Sequence, residues 1–312
     1  MKKDNNYGTS EPIAKPFLKW AGGKGQLLNQ FRDFYPAELK SGKISRFFEP
    51  FIGGGAVFFD VVQKYNIQSA YLYDINQELI LTYRVIQQNV YQLIEILYSF
   101  QKKYEKLDDK TQSEFYYQTR AEFNQNLLKV NYSKYNDEWI LRAAQIIFMN
   151  KTCFNGLFRL NQKGEFNVPA GRYKNPKILD EQNLVKVSKL LSIAEIKNAG
   201  FADVENDITD NAFVYFDPPY RPISKTSDFT SYSKYKFEDD EQRQLSDLFQ
   251  RLNKRGIKQM LSNSDPRNND PSDNFFDEIY KDYTISRIPA LRMINSNAAK
   301  RFAINEIIVT NY

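Results

Sequence analysis

Two rhythms of apolar residues alternate along the chain. Short apolar runs that end at a glycine, an acid or a polar cluster occur at Arg46–Pro50, Ala70–Tyr73, Ile193–Gly200, Ala212–Phe216, Lys258–Ser262 and Ile304–Thr310, and each predicts a buried strand. Three- and four-residue spacings of apolar side chains predict helices instead. They occupy Gln26–Phe31, Ala56–Tyr65, Asn89–Lys103 (Leu93, Ile94, Leu97), Glu138–Asn150 (Leu141, Ala144, Ile147, Phe148) and Asp239–Lys254 (Leu245, Leu248, Phe249, Leu252). Residues 1–15 are polar and expected to be mobile, while Asn263–Asn274 and Ile294–Arg301 read as loops. No internal repeat interrupts this order.

The order of the elements carries a fold. The first strand runs into Phe51-Ile52-Gly53-Gly54-Gly55, a helix follows, and the next strand ends at Asp74. Strand, glycine turn, helix, strand and acid open an α/β sheet. Glycines at the first turn let backbone N–H groups approach a ligand, and an acid at the next strand end commonly receives ribose hydroxyls. The glycine spacing is not Gly-x-Gly-x-x-Gly, so no dinucleotide site is read here. A second glycine turn, Gly22-Gly23, lies within Trp20–Gly25. From 77 to 180 the pattern is helical without alternating strands, which predicts an insertion between a 1–76 segment and a 181–312 segment of the sheet domain. Within it, Glu165–Pro169 reads as the second arm of a β-hairpin whose turn lies at Gln162–Gly164.

Composition narrows the chemistry. The 312 residues contain no histidine and a single cysteine, Cys153. That removes His-based triads, zinc sites built on His or clustered Cys, and an intramolecular disulfide. Catalysis must use carboxylates, amines, hydroxyls or a reactive cofactor. No apolar stretch approaches a membrane span and no secretory h-region is visible, so a reducing, cytoplasmic setting is expected. Net charge is +5. The excess concentrates in two stretches, Lys151, Arg159, Lys163, Arg172 and Lys174 against Glu165, and Lys281, Arg287, Arg292, Lys300 and Arg301 against Asp282. Basic residues interleaved with Asn, Tyr and Phe suit a phosphate backbone, although either stretch alone also fits a solvated loop.

The strand Ala212–Phe216 delivers Asp217-Pro218-Pro219-Tyr220. This tetrad offers a carboxylate, a carbonyl held rigid by two prolines, and a flat aromatic face. The two acceptors match the hydrogens of an exocyclic amine on a planar base, and the ring can stack on that base. Asp-Pro-Pro is equally a good turn, so the tetrad gains its meaning from the segments around it.

Four segments in order, Phe17–Lys24, Phe48–Gly55, the 153–172 stretch and Asp217–Tyr220, give the chain a resemblance to the Dam-type (alpha-group, D12 class) DNA adenine-N6 methyltransferases. Within them it looks most like the GATC-modifying members of restriction–modification systems. The resemblance runs from Pro16 to Tyr312. It implies a Rossmann-like class I methyltransferase sheet, with 1–76 and 181–312 forming the catalytic S-adenosylmethionine-binding domain and 77–180 an inserted helical target-recognition domain carrying a β-hairpin. Trp20, Lys24, Asp74 and Asp217 match cofactor-binding positions, Asp74 for the ribose. Gly53, Gly54 and Gly55 match the loop that wraps the cofactor. Asp217, Pro218, Pro219 and Tyr220 match the catalytic tetrad. On the DNA side, Phe154 matches an aromatic wedge beside Asn155. Leu157, Arg159 and Pro169 match GATC-reading positions, Lys19 a guanine contact and Arg172 a phosphate contact. The implied partner is double-stranded DNA, with the target adenine flipped out, no metal, no membrane and no obligate protein partner. A cognate restriction endonuclease encoded nearby, a host-protection role and a place on the prokaryotic nucleoid follow from the same resemblance.

Two other readings stand beside this one. The tetrad chemistry would also serve cytosine N4, RNA adenine or a protein glutamine. A catalytically silent DNA-binding regulator could retain the fold.

Overall fold

The computed structural model describes residues 13–221, 237–291 and 303–312. Seven strands form one sheet: β1 (Arg46–Glu49), β2 (Ser69–Asp74), β3 (Ala194–Asn198), β4 (Ala212–Phe216), β5 (Lys258–Ser264), β6 (Thr284–Leu291) and β7 (Ala303–Thr310), in the order β3-β2-β1-β4-β5-β7-β6. The first five are parallel, and β7 runs antiparallel to both β5 and β6. Successive residues of a strand face opposite sides of a sheet. Phe47, Phe213 and Tyr215 therefore enter one core, while Phe48, Val214 and Phe216 enter the other. Every residue of β4 is buried, which is what helices on both faces of a parallel sheet demand.

The helices are α1 (Leu28–Phe34), α2 (Ala37–Lys40), α3 (Ala56–Lys64), α4 (Gln77–Glu105), α5 (Asp109–Gln125), α6 (Glu138–Thr152), α7 (Glu181–Leu191), α8 (Val204–Asp207), α9 (Asp239–Lys254) and α10 (Phe275–Ile279). Side chains of α3, α4 and α7 share the first core, and those of α8, α9 and α10 the second. Helices α4, α5 and α6 follow β2 and are continuous with the first core through Phe100, Phe115 and Phe148, whose rings meet edge-on or tilted. A buried ion pair fastens α6 to the start of α4. Arg142 bonds Glu78 with two guanidinium nitrogens and lies 3.8 Å above the Phe123 ring, and Tyr132 donates to the same carboxylate at 2.6 Å.

Several elements differ from the sequence expectation. Helix α4 begins at Gln77, not Asn89. Its first turns bury Leu79, Ile80, Leu81, Tyr83, Val85 and Ile86, so no polar face marks them as helical. Asn76 caps it by accepting from the Glu78 and Leu79 amides, and Asn89 is a non-helical kink within it (φ −136°, ψ 42°). Strand β6 falls in a segment read only as basic, because Pro289 argues against a strand; it lies at the sheet edge, where proline is tolerated. Arg287 of that segment is committed to Asp265 and Asp277, so it does not offer its charge to a phosphate. Ser264 and Asn263, read as loop, complete β5. Ile13–Lys15, grouped with a mobile terminus, are anchored: Gln63 bonds both polar groups of the Ala14 backbone, and Asn183 does the same for Lys15. The remainder of that terminus, the Ile294–Arg301 loop and Arg292 lie outside the described residues.

The expected hairpin has its turn but only a broken ladder. Asn161 closes the turn by accepting from Gly164 and donating to Glu165. The arms meet at isolated bridges, Cys153 with Ala170 and Leu160 with Phe166, among the described residues. Backbone bonds flank each bridge, Asn161 with Glu165, Asn167 with Arg159, Phe154 with Pro169 and Gly171 with Thr152, and side chains of α5 cover the opposite, outer edge of the second arm. Asn124 bonds the Phe166 N–H and C=O, and Tyr116 and Arg120 donate to the Val168 carbonyl. The arm's backbone is thereby satisfied by the helix beneath it. No helix among the described residues is long and apolar enough to cross a membrane.

Candidate active site

The chain leaves β1 for β2 on one side and later returns to β4 on the other, so β1 and β4 flank the switch point where open α/β sheets bind ligands. Three candidate groups converge on these carboxyl ends. The glycine turn follows β1, Asp74 ends β2 and Asp217 follows β4, and both β2 and β4 are neighbours of β1. The glycines are required by geometry. Gly53 and Gly55 have φ of 45° and 71°, and a Cβ on Gly53 would lie 2.8 Å from the Trp20 indole. The Asp74 carboxylate accepts from the Gly53 amide at 3.2 Å and from the Asn76 amide at 2.9 Å. Burial pushes its pKa up to about 6 against those donors. Beside this turn the half-buried rings of Phe51 and Phe201 stack at 5.6 Å, and Phe237 packs edge-on against both.

Across β1, Lys24 is buried and donates to Asp217 at 2.6 Å and to the Gly22 carbonyl at 2.9 Å. Its ammonium also sits 4.8 Å from the centroid of Tyr220. Tyr220 donates its hydroxyl to Glu306 of β7 at 2.6 Å. Burial would lower the Lys24 pKa, but Asp217, Tyr220 and Glu306 outweigh it and hold the ammonium well above its ordinary value. Three carboxyls thus share one cation. Burial drives Glu49 well above the usual carboxylate range, helped by the charge of Asp217, and raises Glu306. Asp217 is raised by burial too, with Lys24 opposing. The direct ion pair with Lys24 opposes the rise at Asp217, while Glu49, which makes no such contact among the described residues, is opposed only by the more distant charge of Lys24 and a backbone bond.

Neighbouring groups fix the tetrad. Ser262 reaches Asp217 at 3.4 Å while bonded to Tyr215 at 2.7 Å. Gln242 of α9 donates to the Pro219 carbonyl, whereas the Pro218 carbonyl accepts no hydrogen bond among the described residues. Arg221 closes the segment by pairing with Asp239 and Asp273.

The DNA-side candidates form a second group, joined to the first through Trp20. The indole stacks on Phe158 at 5.4 Å on one side and abuts Gly53 on the other. Phe154 is 52% exposed, unusual for a phenylalanine that could have packed inward, and its N–H is held by the Pro169 carbonyl at 2.9 Å. Asn155 projects from a left-handed backbone (φ 58°). Leu157 packs against the first core, Arg159 donates to Asn167 at 2.8 Å, and Pro169 and Arg172 are exposed. Lys19 lies against Gly156, with its ammonium 5.3 Å from the Tyr173 ring. Neither Arg159 nor Arg172 touches the strand-end cluster.

Sequence reasoning missed Glu306, Ser262, Gln242, Asn167 and Asn150. Two of these carried a readable signal: Glu306 is a lone acid in the apolar run Ile304–Val309, and Asn150 ends an apolar helical stripe. An isolated polar residue at a core position must find a partner, and that partner is often a site.

Residues 20–294 match the family model described as D12 class N6 adenine-specific DNA methyltransferase. The chain is 49% identical to the type II methyltransferase M.MjaIII of Methanocaldococcus jannaschii, over 96% of this chain and 99% of that protein. It is 41% identical to the type II methyltransferase M1.LlaDCHI of Lactococcus lactis, over 96% and 95%. With the DNA adenine methylase of Escherichia coli it shares 31% identity over 94% of each chain.

Proposed function

The chain belongs to the D12 class of N6 adenine-specific DNA methyltransferases, and from that membership we propose that it transfers the methyl group of S-adenosylmethionine to N6 of an adenine turned out of double-stranded DNA, within GATC. The observation that carries this reading is the Lys24–Asp217 ion pair at the switch point, beside a glycine turn and beneath the Tyr220 ring. The helical segment 77–180, with its exposed Phe154, is the proposed recognition unit. A role in host protection is supported by the relatives of 49% and 41% identity, both named type II methyltransferases, against 31% for one named DNA adenine methylase.

Adenine N6 is a weak nucleophile because its lone pair is delocalised into the ring. Asp217 and the unengaged Pro218 carbonyl would accept its two hydrogens, favouring a pyramidal nitrogen. Asp217 then stabilises the positive charge that grows there, inside a site where fixed acceptors need not reorganise. Turning the base out costs on the order of a few kcal/mol, and stacking on Tyr220 returns part of it. Asp74 would bind the donor's ribose hydroxyls, and Gly53–Gly55 would admit it closely. When bound, S-adenosylmethionine supplies an already activated sulfonium methyl, so the chain's own work is positioning.

The test is tritiated methyl transfer to unmodified bacterial genomic DNA, followed by mapping of the modified adenines. Asp217→Ala should abolish transfer in a single turnover while still binding DNA. Near-normal transfer by that variant would remove Asp217 from the chemistry, and modified adenines outside GATC would correct the proposed site.

A further inference from the structure

We propose that Asn150 is the positioning residue that sets sequence discrimination, by locking Lys19 and the Phe154–Gly156 turn into one reading surface. The proposal rests on the DNA adenine methyltransferase reading above. Asn150 is buried to 1% exposure near the end of α6, yet its amide caps nothing in that helix. Its oxygen accepts from the Lys19 N–H at 2.9 Å. Its nitrogen donates to the Lys19 carbonyl at 3.0 Å and to the Gly156 carbonyl at 2.9 Å. A carboxamide alone among side chains of this length offers both an acceptor and two donors, and here both donor hydrogens are used.

The consequence is geometric. Clamped at both backbone polar groups, Lys19 lays its side chain along Gly156, where an added Cβ would sit 2.4 Å from Lys19 Cδ. Gly156 is left-handed (φ 66°), as is Asn155 before it, a pair of conformations that must be held by their surroundings. The holds are the Asn150 bond, the Gly156 N–H to the Cys153 carbonyl at 3.2 Å, and the Phe154 N–H to the Pro169 carbonyl at 2.9 Å. Together they turn Phe154 and Asn155 outward and set Lys19 between Gly156 and the Tyr173 ring. The same Lys19–Trp20 segment meets the glycine turn through the indole. Removing the amide would strand buried carbonyls of Lys19 and Gly156 and uncouple the two halves of the surface.

The experiment compares wild type, Asn150→Asp, Lys19→Met and the double variant on unmodified bacterial genomic DNA with S-adenosylmethionine. It maps modified adenines and measures donor affinity by calorimetry and thermal melting. Asn150→Asp keeps the acceptor for the Lys19 N–H but sets a second carboxyl oxygen against the Lys19 and Gly156 carbonyls, so at least one donor bond is lost and, when the group is ionised, both. The expected result is a folded variant with wild-type donor affinity whose ratio of preferred to one-base-altered sites falls about tenfold. Lys19→Met, an exposed change that does not threaten the fold, should fall similarly, and the double variant no further, because one unit has been broken twice. Multiplicative losses, an unchanged site ratio with evenly reduced turnover, or loss of fold and donor binding in Asn150→Asp would each overturn the proposal and return Asn150 to the core. A wild type that marks no adenine fails differently, since it overturns the reading of the site itself.

Discussion

The Lys24 ammonium lies 2.6 Å from the Asp217 carboxylate and 4.8 Å from the Tyr220 ring, so one buried cation orders both ends of the tetrad. Its charge opposes the burial that raises the Asp217 pKa. Lys24→Met removes the opposition, and the Asp217 pKa climbs further. Transfer that needs the carboxylate form should then lose its acid limb at a higher pH than in wild type. Single-turnover rates against pH, at saturating donor, test this; an unmoved acid limb would show that Asp217 ionisation does not control the step.

Tyr220 and Glu306 form a second pair, at 2.6 Å. Tyr220→Phe should slow transfer by the worth of one net hydrogen bond, about 0.5–1.5 kcal/mol. Glu306→Ala should do the same by leaving the hydroxyl unpartnered, whereas Glu306→Gln retains an acceptor and should stay near wild type. The informative variant is the double one. If the bond is what orients the ring, Tyr220→Phe adds nothing in a Glu306→Ala background, and full additivity of the two rate losses would separate the residues.

The convergence of the strand-end candidates was legible from the chain because each lies at or just past the end of a strand. The glycine turn, Asp74 and Asp217 each follow an apolar run, so the parallel order alone brings them together. Glu306 was not, because β7 pairs antiparallel with β5 and its register, Glu306 opposite Ser264, is set by tertiary packing. Nor was the way α5 covers the outer edge of the hairpin's second arm. Asn124, Tyr116 and Arg120 read as ordinary polar residues of a helix until their bonds to the 166–168 backbone are seen. The α4 start was hidden for the opposite reason: a helix apolar on nearly all sides shows no period.

Asp74 gives the pH dependence of donor binding. Its folded pKa of about 6 lies above the ordinary aspartate value, burial being the cause. The sign follows. The raised pKa favours folding fully below the ordinary value of about 4, and that contribution disappears as pH rises through 6. Above 6 the free protein carries a partly buried anion that the donor's hydroxyls would relieve. Donor affinity should therefore strengthen as pH rises from 5 to 7, and Asp74→Asn should flatten the profile. Calorimetric titration across that range decides it, and a flat wild-type profile would remove Asp74 from the hydroxyl contacts.

Gly55 separates steric from conformational cost at the glycine turn. Its φ is 71°, and a Cβ there would lie 2.6 Å from the Tyr83 hydroxyl, a buried group that itself donates to the Gly53 carbonyl at 3.0 Å. A left-handed alanine costs roughly 1–2 kcal/mol by itself. The collision adds to it, because Tyr83 is fully enclosed and cannot swing away. Gly55→Ala should thus lower thermal stability by more than the backbone term and weaken donor binding with it. Tyr83→Phe in the same chain removes the colliding oxygen but leaves φ strained, so it should recover part of the stability and little of the binding. Tyr83→Phe alone measures the loss of the bond to the Gly53 carbonyl; if, after that loss is subtracted, the double variant melts no higher than Gly55→Ala alone, the Tyr83 oxygen is not the constraint, and the left-handed φ and the Phe59 ring, 3.1 Å from the added Cβ, remain.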